Sequence, residues 1–168
     1  MKKMFTLLMA VLLPLLVSAQ NATIDKVFSK YADREGFAVI SINKGLLKLA
    51  ANLDDSDAEA QAFLQRVHQI KILASDNASS GVNLFDEVLS DINKRSYEEL
   101  LTVKKDGEEV LILANKDGDL LKEIIILVAG KETAMVYISG ELRMKDLSKL
   151  SSSVKGEGTG MQYLNEIK

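Results

Sequence analysis

Ser41-Ile42-Asn43-Lys44 sets a hydroxyl and an amine three residues apart, the S-x-x-K spacing in which a lysine takes the proton of a nucleophilic serine. Ser75-Asp76-Asn77 matches a second element of the same penicillin-recognising chemistry, S-D-N. The pair reads as coincidence. In that chemistry the serine and lysine stand one helical turn apart on one face. Ser41 instead lies in a run of β-formers, where Lys44 would fall on the opposite side. The third element, Lys-Thr-Gly, is missing, and the chain is short for a two-part enzyme fold.

The remaining chemistry-bearing residues fare no better. His68 is the sole histidine and has neither a cysteine nor an identifiable serine to work with. It sits where a helical pattern gives way to a strand, the place of a surface or capping residue. One histidine and no cysteine leave zinc almost no ligands. Asp54, Asp55 and Asp57 offer oxygen ligands for Ca²⁺, yet their spacing fits no EF-hand loop and the glycine of its sharp turn is absent. They suit a helix start, whose dipole favours acidic side chains. Gly156, Gly158 and Gly160 alternate like a phosphate-binding loop but follow no strand. Asn21-Ala22-Thr23 and Asn77-Ala78-Ser79 match glycosylation acceptors by chance. The residues therefore designate no catalytic group, no cofactor site and no metal ligand.

The elements that would carry any site are better defined. Thr23 reads as an N-cap for a helix with the stripe Ile24, Val27, Phe28 and Tyr31, closed by Gly36. Phe37 to Ile42 reads as a strand, Lys44 to Asn52 as a helix, and the acidic patch leads into another helix with Ala60, Phe63, Leu64 and Val67. A second strand runs over Gln69 to Ala74. The loop-like stretch Ser75 to Val82 feeds a helix with Leu84, Phe85, Val88, Leu89 and Ile92. Four strands then follow, Tyr97–Lys105, Glu109–Asn115, Leu120–Ala129 and Thr133–Gly140, broken by Lys105-Asp106-Gly107, Lys116-Asp117-Gly118 and Gly130-Lys131-Glu132. Asp-Gly between apolar runs is a strong hairpin signal. Ile124 to Ala129 is apolar at every position and is expected near the sheet centre. Asp146 to Leu150 allows a short helix. The predicted fold is α+β: an antiparallel sheet with a four-strand C-terminal meander, its helices packed mainly on one face. The strands around Tyr97 and Thr133 are expected at the sheet edges, and self-association through such an unpaired edge is a further expectation.

Lys2 and Lys3, the apolar run Phe5 to Val17 and the small residues Val17-Ser18-Ala19 form a three-part export signal. Cleavage is expected between Ala19 and Gln20. The run is shorter than the roughly 18 to 20 residues that span a bilayer, and Pro14 interrupts it, so no transmembrane anchor is expected in the mature chain. Of 168 residues, less the 19 of the signal, 149 remain, with residues 20–150 as one domain and 151–168 as a flexible tail. Loss of Lys2 and Lys3 takes the net charge from −3 to −5. A mildly acidic, mixed surface argues against nucleic acid, which requires a basic patch, and against anionic headgroups. Without cysteine there is no disulfide, and the hydrophobic core must hold the domain alone.

Several stretches together resemble a family of secreted and lipoprotein domains from Gram-negative envelopes, domain of unknown function 4252. They are Phe37 to Ala50, Val67 to Ala74, Tyr97-Glu98-Glu99-Leu100-Leu101, Ile124 to Ala129 with Val136-Tyr137-Ile138-Ser139-Gly140, and Asp146-Leu147-Ser148-Lys149-Leu150. Many members look like lipoproteins with a cysteine after the signal; this chain has Ala19-Gln20 there. The resemblance implies an envelope location and transfers no active site. The expected function is an exported periplasmic binding or interaction module, with another envelope protein or a small ligand as partner and a part in envelope signalling or stress response. The rival expectation is a periplasmic hydrolase using carboxylates that sequence alone does not identify; the non-enzymatic reading is the stronger.

Overall fold

The structure, a computed structural model, describes residues 19–53, 58–76, 84–92, 96–130 and 132–146. Residues 1–18, 54–57, 77–83, 93–95, 131 and 147–168 lie outside the described residues, and with them Asp54, Asp55 and Asp57, most of the helix read at Asp146 to Leu150, and Gly156, Gly158 and Gly160.

In chain order the elements are α1 (Ala19–Tyr31), β1 (Phe37–Asn43), α2 (Lys44–Leu53), α3 (Ala58–Arg66), β2 (Val67–Asp76), α4 (Leu84–Asp91), β3 (Glu98–Lys105), β4 (Glu108–Asp117), β5 (Leu120–Ala129) and β6 (Glu132–Leu142). Thr23 lies inside α1 and does not cap it. Ala19 and Ala22 are strong helix formers, so the helix continues through the turn before Thr23. Asn43 is the side chain that caps a helix here: its Oδ1 accepts the Leu46 backbone N–H at 3.1 Å, at the start of α2.

All six strands form one sheet in the order β1-β2-β6-β5-β4-β3, with every neighbouring pair antiparallel. The last four strands are a meander. The two turns with Asp-Gly close β3–β4 and β4–β5; Asp106 and Gly107 have φ of 52° and 84°, the positive values that a twist-matched two-residue hairpin requires. The edges are β1 and β3. The strand holding Thr133, expected at an edge, instead lies between β2 and β5, and Thr133 is buried. β6 is apolar on both faces, and pairing with β2 buries its second side.

Alternate residues of β4, β5 and β6 divide into two cores. One face carries Leu73, Leu111, Leu113, Ile125, Leu127, Met135 and Tyr137 beneath Ile24, Val27 and Phe28 of α1 and Phe85 and Val88 of α4. The other carries Val110, Ile112, Ile124, Ile126 and Ile138, joined by Leu47 of α2 and Phe63 and Leu64 of α3. The helices thus divide between the faces instead of gathering mainly on one. Ile124 to Leu127 points apolar side chains both ways, and each side must be kept from water. α1 and α4 are also tied by Glu87, which accepts hydrogen bonds from Lys30 and Tyr31.

Candidate functional site

On the face beneath α1 and α4, the strands stack their side chains in ranks across the sheet, because residues directly opposite in antiparallel strands share a face. Two ranks hold the apolar core just described. Next to them runs a rank of another kind. Asn43 pairs with Gln69, Gln69 with Ser139, Ser139 with Glu123, and Glu123 with Asn115. Five strands thus each present a polar side chain in one line, immediately beyond Lys71, Tyr137, Ile125 and Leu113.

Glu123 is the centre of this rank and is only 7 % exposed. It is the sole acid in β5 and the fourth residue of that strand. Tyr137 Oη donates to its Oε1 at 3.0 Å and Tyr97 Oη to its Oε2 at 2.6 Å. Asn115 Nδ2 donates to Oε2 at 3.4 Å. A buried carboxylate is tolerated when donors surround it, and here they come from β4, β6 and the residue preceding β3. Burial holds the Tyr97 phenol well above the ordinary tyrosine range, reinforced by its hydrogen bond to Glu123. Tyr137 is likewise raised, by burial first and then by the Glu123 charge, while a hydrogen bond from Ser139 opposes the rise. Both phenols stay protonated donors. Lys71, opposite Tyr137 in β2, reaches Asp25 on α1 and lies 5.3 Å from the centre of the Phe28 ring, closing the inner side of the site.

The rank opens on a groove of about 760 Å³ lined by Asn43, Gln69, Asn115, Glu123 and Ser139, with Lys44, His68, Lys122, Asp117 and Glu141 around it. Its charges are mixed and its floor is rich in amides, which donate and accept hydrogen bonds together. Lys122 is shared between Asp117 at 4.0 Å and Glu141 at 3.4 Å. Such a surface can hold a polar molecule by several hydrogen bonds. Among the described residues no group of three His, Asp or Glu stands together as a metal site, and no helix is long and apolar enough to cross a membrane.

The sequence motifs fall elsewhere. Ser41 is exposed on the edge strand opposite Lys71, while Ser75 is buried opposite Phe37, four residues along the same strand pair and about 13 Å away. The S-x-x-K and S-D-N serines do not converge. His68 is exposed and occupies the irregularity where β2 skips a residue against β6. It borders the groove and, among the described residues, has no polar partner that would make it a base. The described chain has two buried carboxylates, and each has its own company: Glu123 the phenols, Asp146 the Arg66 guanidinium at 2.9 Å and the Arg143 backbone N–H at 2.8 Å.

A family model described as Domain of unknown function (DUF4252) matches residues 31–150. The chain belongs to this family. No curated protein and no solved structure matches it. The DUF4252 match takes in all six strands, and with them the whole polar rank together with Tyr97 and Tyr137. It begins at the last residue of α1, so most of the helix lying over that face precedes it.

Sequence reasoning did not find the rank. One signal was present: a lone glutamate in front of the apolar block Ile124 to Ala129. Its four companions are spread from residue 43 to residue 139, and only the strand register brings them into line.

Proposed function

We propose that this DUF4252 chain is an exported, non-enzymatic module of the periplasm that binds a small, polar, net-neutral ligand in the groove at the end of its sheet. The observation that carries the reading is the rank Asn43, Gln69, Ser139, Glu123 and Asn115, an unbroken line of hydrogen-bonding groups lining an open groove. Export is supported by Lys2, Lys3 and the apolar run that follows them. On this reading, a part in envelope signalling or stress response would consist of reporting that ligand to another envelope protein. A hydrolytic role fits less well, because both oxygens of Glu123 already accept phenolic hydrogen bonds and no second carboxylate bonds to it.

The test is a thermal-shift screen of sugars, amino acids and short neutral peptides against the purified protein. A ligand at about a hundred times its Kd adds about 2.7 kcal/mol, which raises the Tm by roughly 5 to 10 °C in a domain of this size. The shift should disappear in Gln69→Leu, a substitution at the groove floor outside the Glu123 network. Turnover of an ester, amide or glycoside panel that is abolished by Glu123→Gln, with no binder found, would transfer the assignment to a hydrolase.

A further inference from the structure

The edge strand β3 carries a sequence that is complementary to itself. Glu98-Glu99-Leu100-Leu101-Thr102-Val103-Lys104-Lys105 opens with two acids, closes with two bases and is largely apolar between them. Laid antiparallel on a second copy, Glu98 and Glu99 meet Lys105 and Lys104. Whether the faces also agree is a separate condition. Two copies related by a twofold axis perpendicular to the sheet must bring residues of the same face opposite one another. In a regular strand of eight residues, the first and last side chains point to opposite faces, and this end-to-end match would fail.

The irregularity in β3 removes the conflict. Its register on β4 passes from Glu99↔Leu113 directly to Leu101↔Ile112, so Leu100 is an extra residue. As a result Glu99, paired with Leu113, and Lys104, paired with Glu109, lie on the same face; Glu98, paired with Ala114, and Lys105, paired with Glu108, share the other. In the antiparallel dimer Thr102 then falls on the axis opposite its own copy, and Leu101 faces Val103. Both face and charge are satisfied in one register.

We propose that two copies of this chain associate edge to edge along β3 in that register, joining their sheets into one. Lys104 already holds Glu109 at 2.9 Å on the neighbouring strand, and would gain the second copy's Glu99 on its open side. Glu98 likewise holds Lys116 at 2.6 Å and would gain the second copy's Lys105. Acids and bases therefore alternate across the seam on both faces. Parallel pairing would set Glu98 and Glu99 against their like, and like charges directly opposite destabilise a strand pair. Edge charges ordinarily keep other strands away; these charges also select the partner. The second edge, β1, Phe37–Asn43, has no charged side chain and specifies no such register. The inference does not depend on the ligand proposed for the groove.

Sedimentation equilibrium of the purified protein and of two charge-reversed variants, E98K/E99K and K104E/K105E, decides it. The unaltered protein should form a dimer that weakens as salt rises. Each variant alone should show a dimer dissociation constant raised at least about tenfold, and an equimolar mixture of the two should restore association, because the reversed edges again meet with opposite signs. Far-UV circular dichroism establishes that the variants are folded; should a double variant fail to fold, the single pair E99K and K104E gives the same cross. A protein that is monomeric up to about 1 mM, the weak end of specific association, overturns the proposal. So does a dimer that both variants leave unchanged, or a mixture that stays as dissociated as its components.

Discussion

Glu123 holds two phenols, and the phenols hold it. At the scale of the residue, this reciprocity predicts an asymmetric response to substitution. Glu123→Leu leaves the Tyr97 and Tyr137 hydroxyls without their acceptor. An unsatisfied buried donor costs about 1 to 3 kcal/mol, so urea denaturation should show a loss of roughly 2 to 5 kcal/mol despite the gain of an apolar side chain. An unchanged midpoint would mean that the network contributes nothing. A pH experiment follows from the same groups. Tyr97 and Tyr137 are raised as described, and Tyr31 is raised by burial and by its hydrogen bond to Glu87. A raised folded-state pKa gives stability that is complete below the unfolded value of about 10 and declines above it, where the unfolded chain releases protons that the folded chain retains. Ultraviolet titration should therefore show these three phenols, of four tyrosines in the chain, un-ionised in the native protein at about pH 11 and ionising only as it unfolds. At this scale local pattern placed His68 correctly, exposed where a helix gives way to a strand. It gave no pointer to the partners of Glu123, because Tyr97, Asn115 and Tyr137 are related to it only by register.

The elements show where local signals suffice. Asp106-Gly107 and Gly118 take the positive φ that their dipeptides imply, and the strand ends lie within a few residues of those read from alternation and turn residues. Local signals fail where a neighbouring strand dictates geometry. Gly140 reads in sequence as a strand terminus, yet β6 continues to Leu142 and passes so close to the start of β2 that a Cβ on residue 140 would stand 2.4 Å from the Arg66 carbonyl oxygen and 3.1 Å from Val67 Cα. These atoms are backbone and cannot swing aside. Gly140→Ala should destabilise the protein by about 1 to 3 kcal/mol, the usual cost of overpacking; the measured value belongs near the upper end. A neutral result in chemical denaturation would contradict this close approach.

For the whole molecule, the decisive feature is that β5 serves two cores at once. Ile126 faces α2 and α3, Leu127 faces α1 and α4, and both are buried. Leu127→Ala and Ile126→Ala should each cost about 2 to 5 kcal/mol. Each should lower one cooperative transition, because neither layer has a sheet of its own to fall back on. Far-UV circular dichroism and tyrosine fluorescence should give coincident curves for both variants. Separate transitions for the two probes would show that the layers unfold independently.

The order of residue types along the chain determined the α+β class, the four-strand meander and the central place of Ile124 to Leu127, because hydrophobic period and turn chemistry act over a few residues. What covers each face, that β1 and not the strand of Thr133 forms the second edge, and which polar groups stand side by side were decided only when β2 paired with β6. That pairing joins segments some sixty residues apart. It depends on burying both faces of β6 together, a condition of the assembled sheet that no short window of sequence contains.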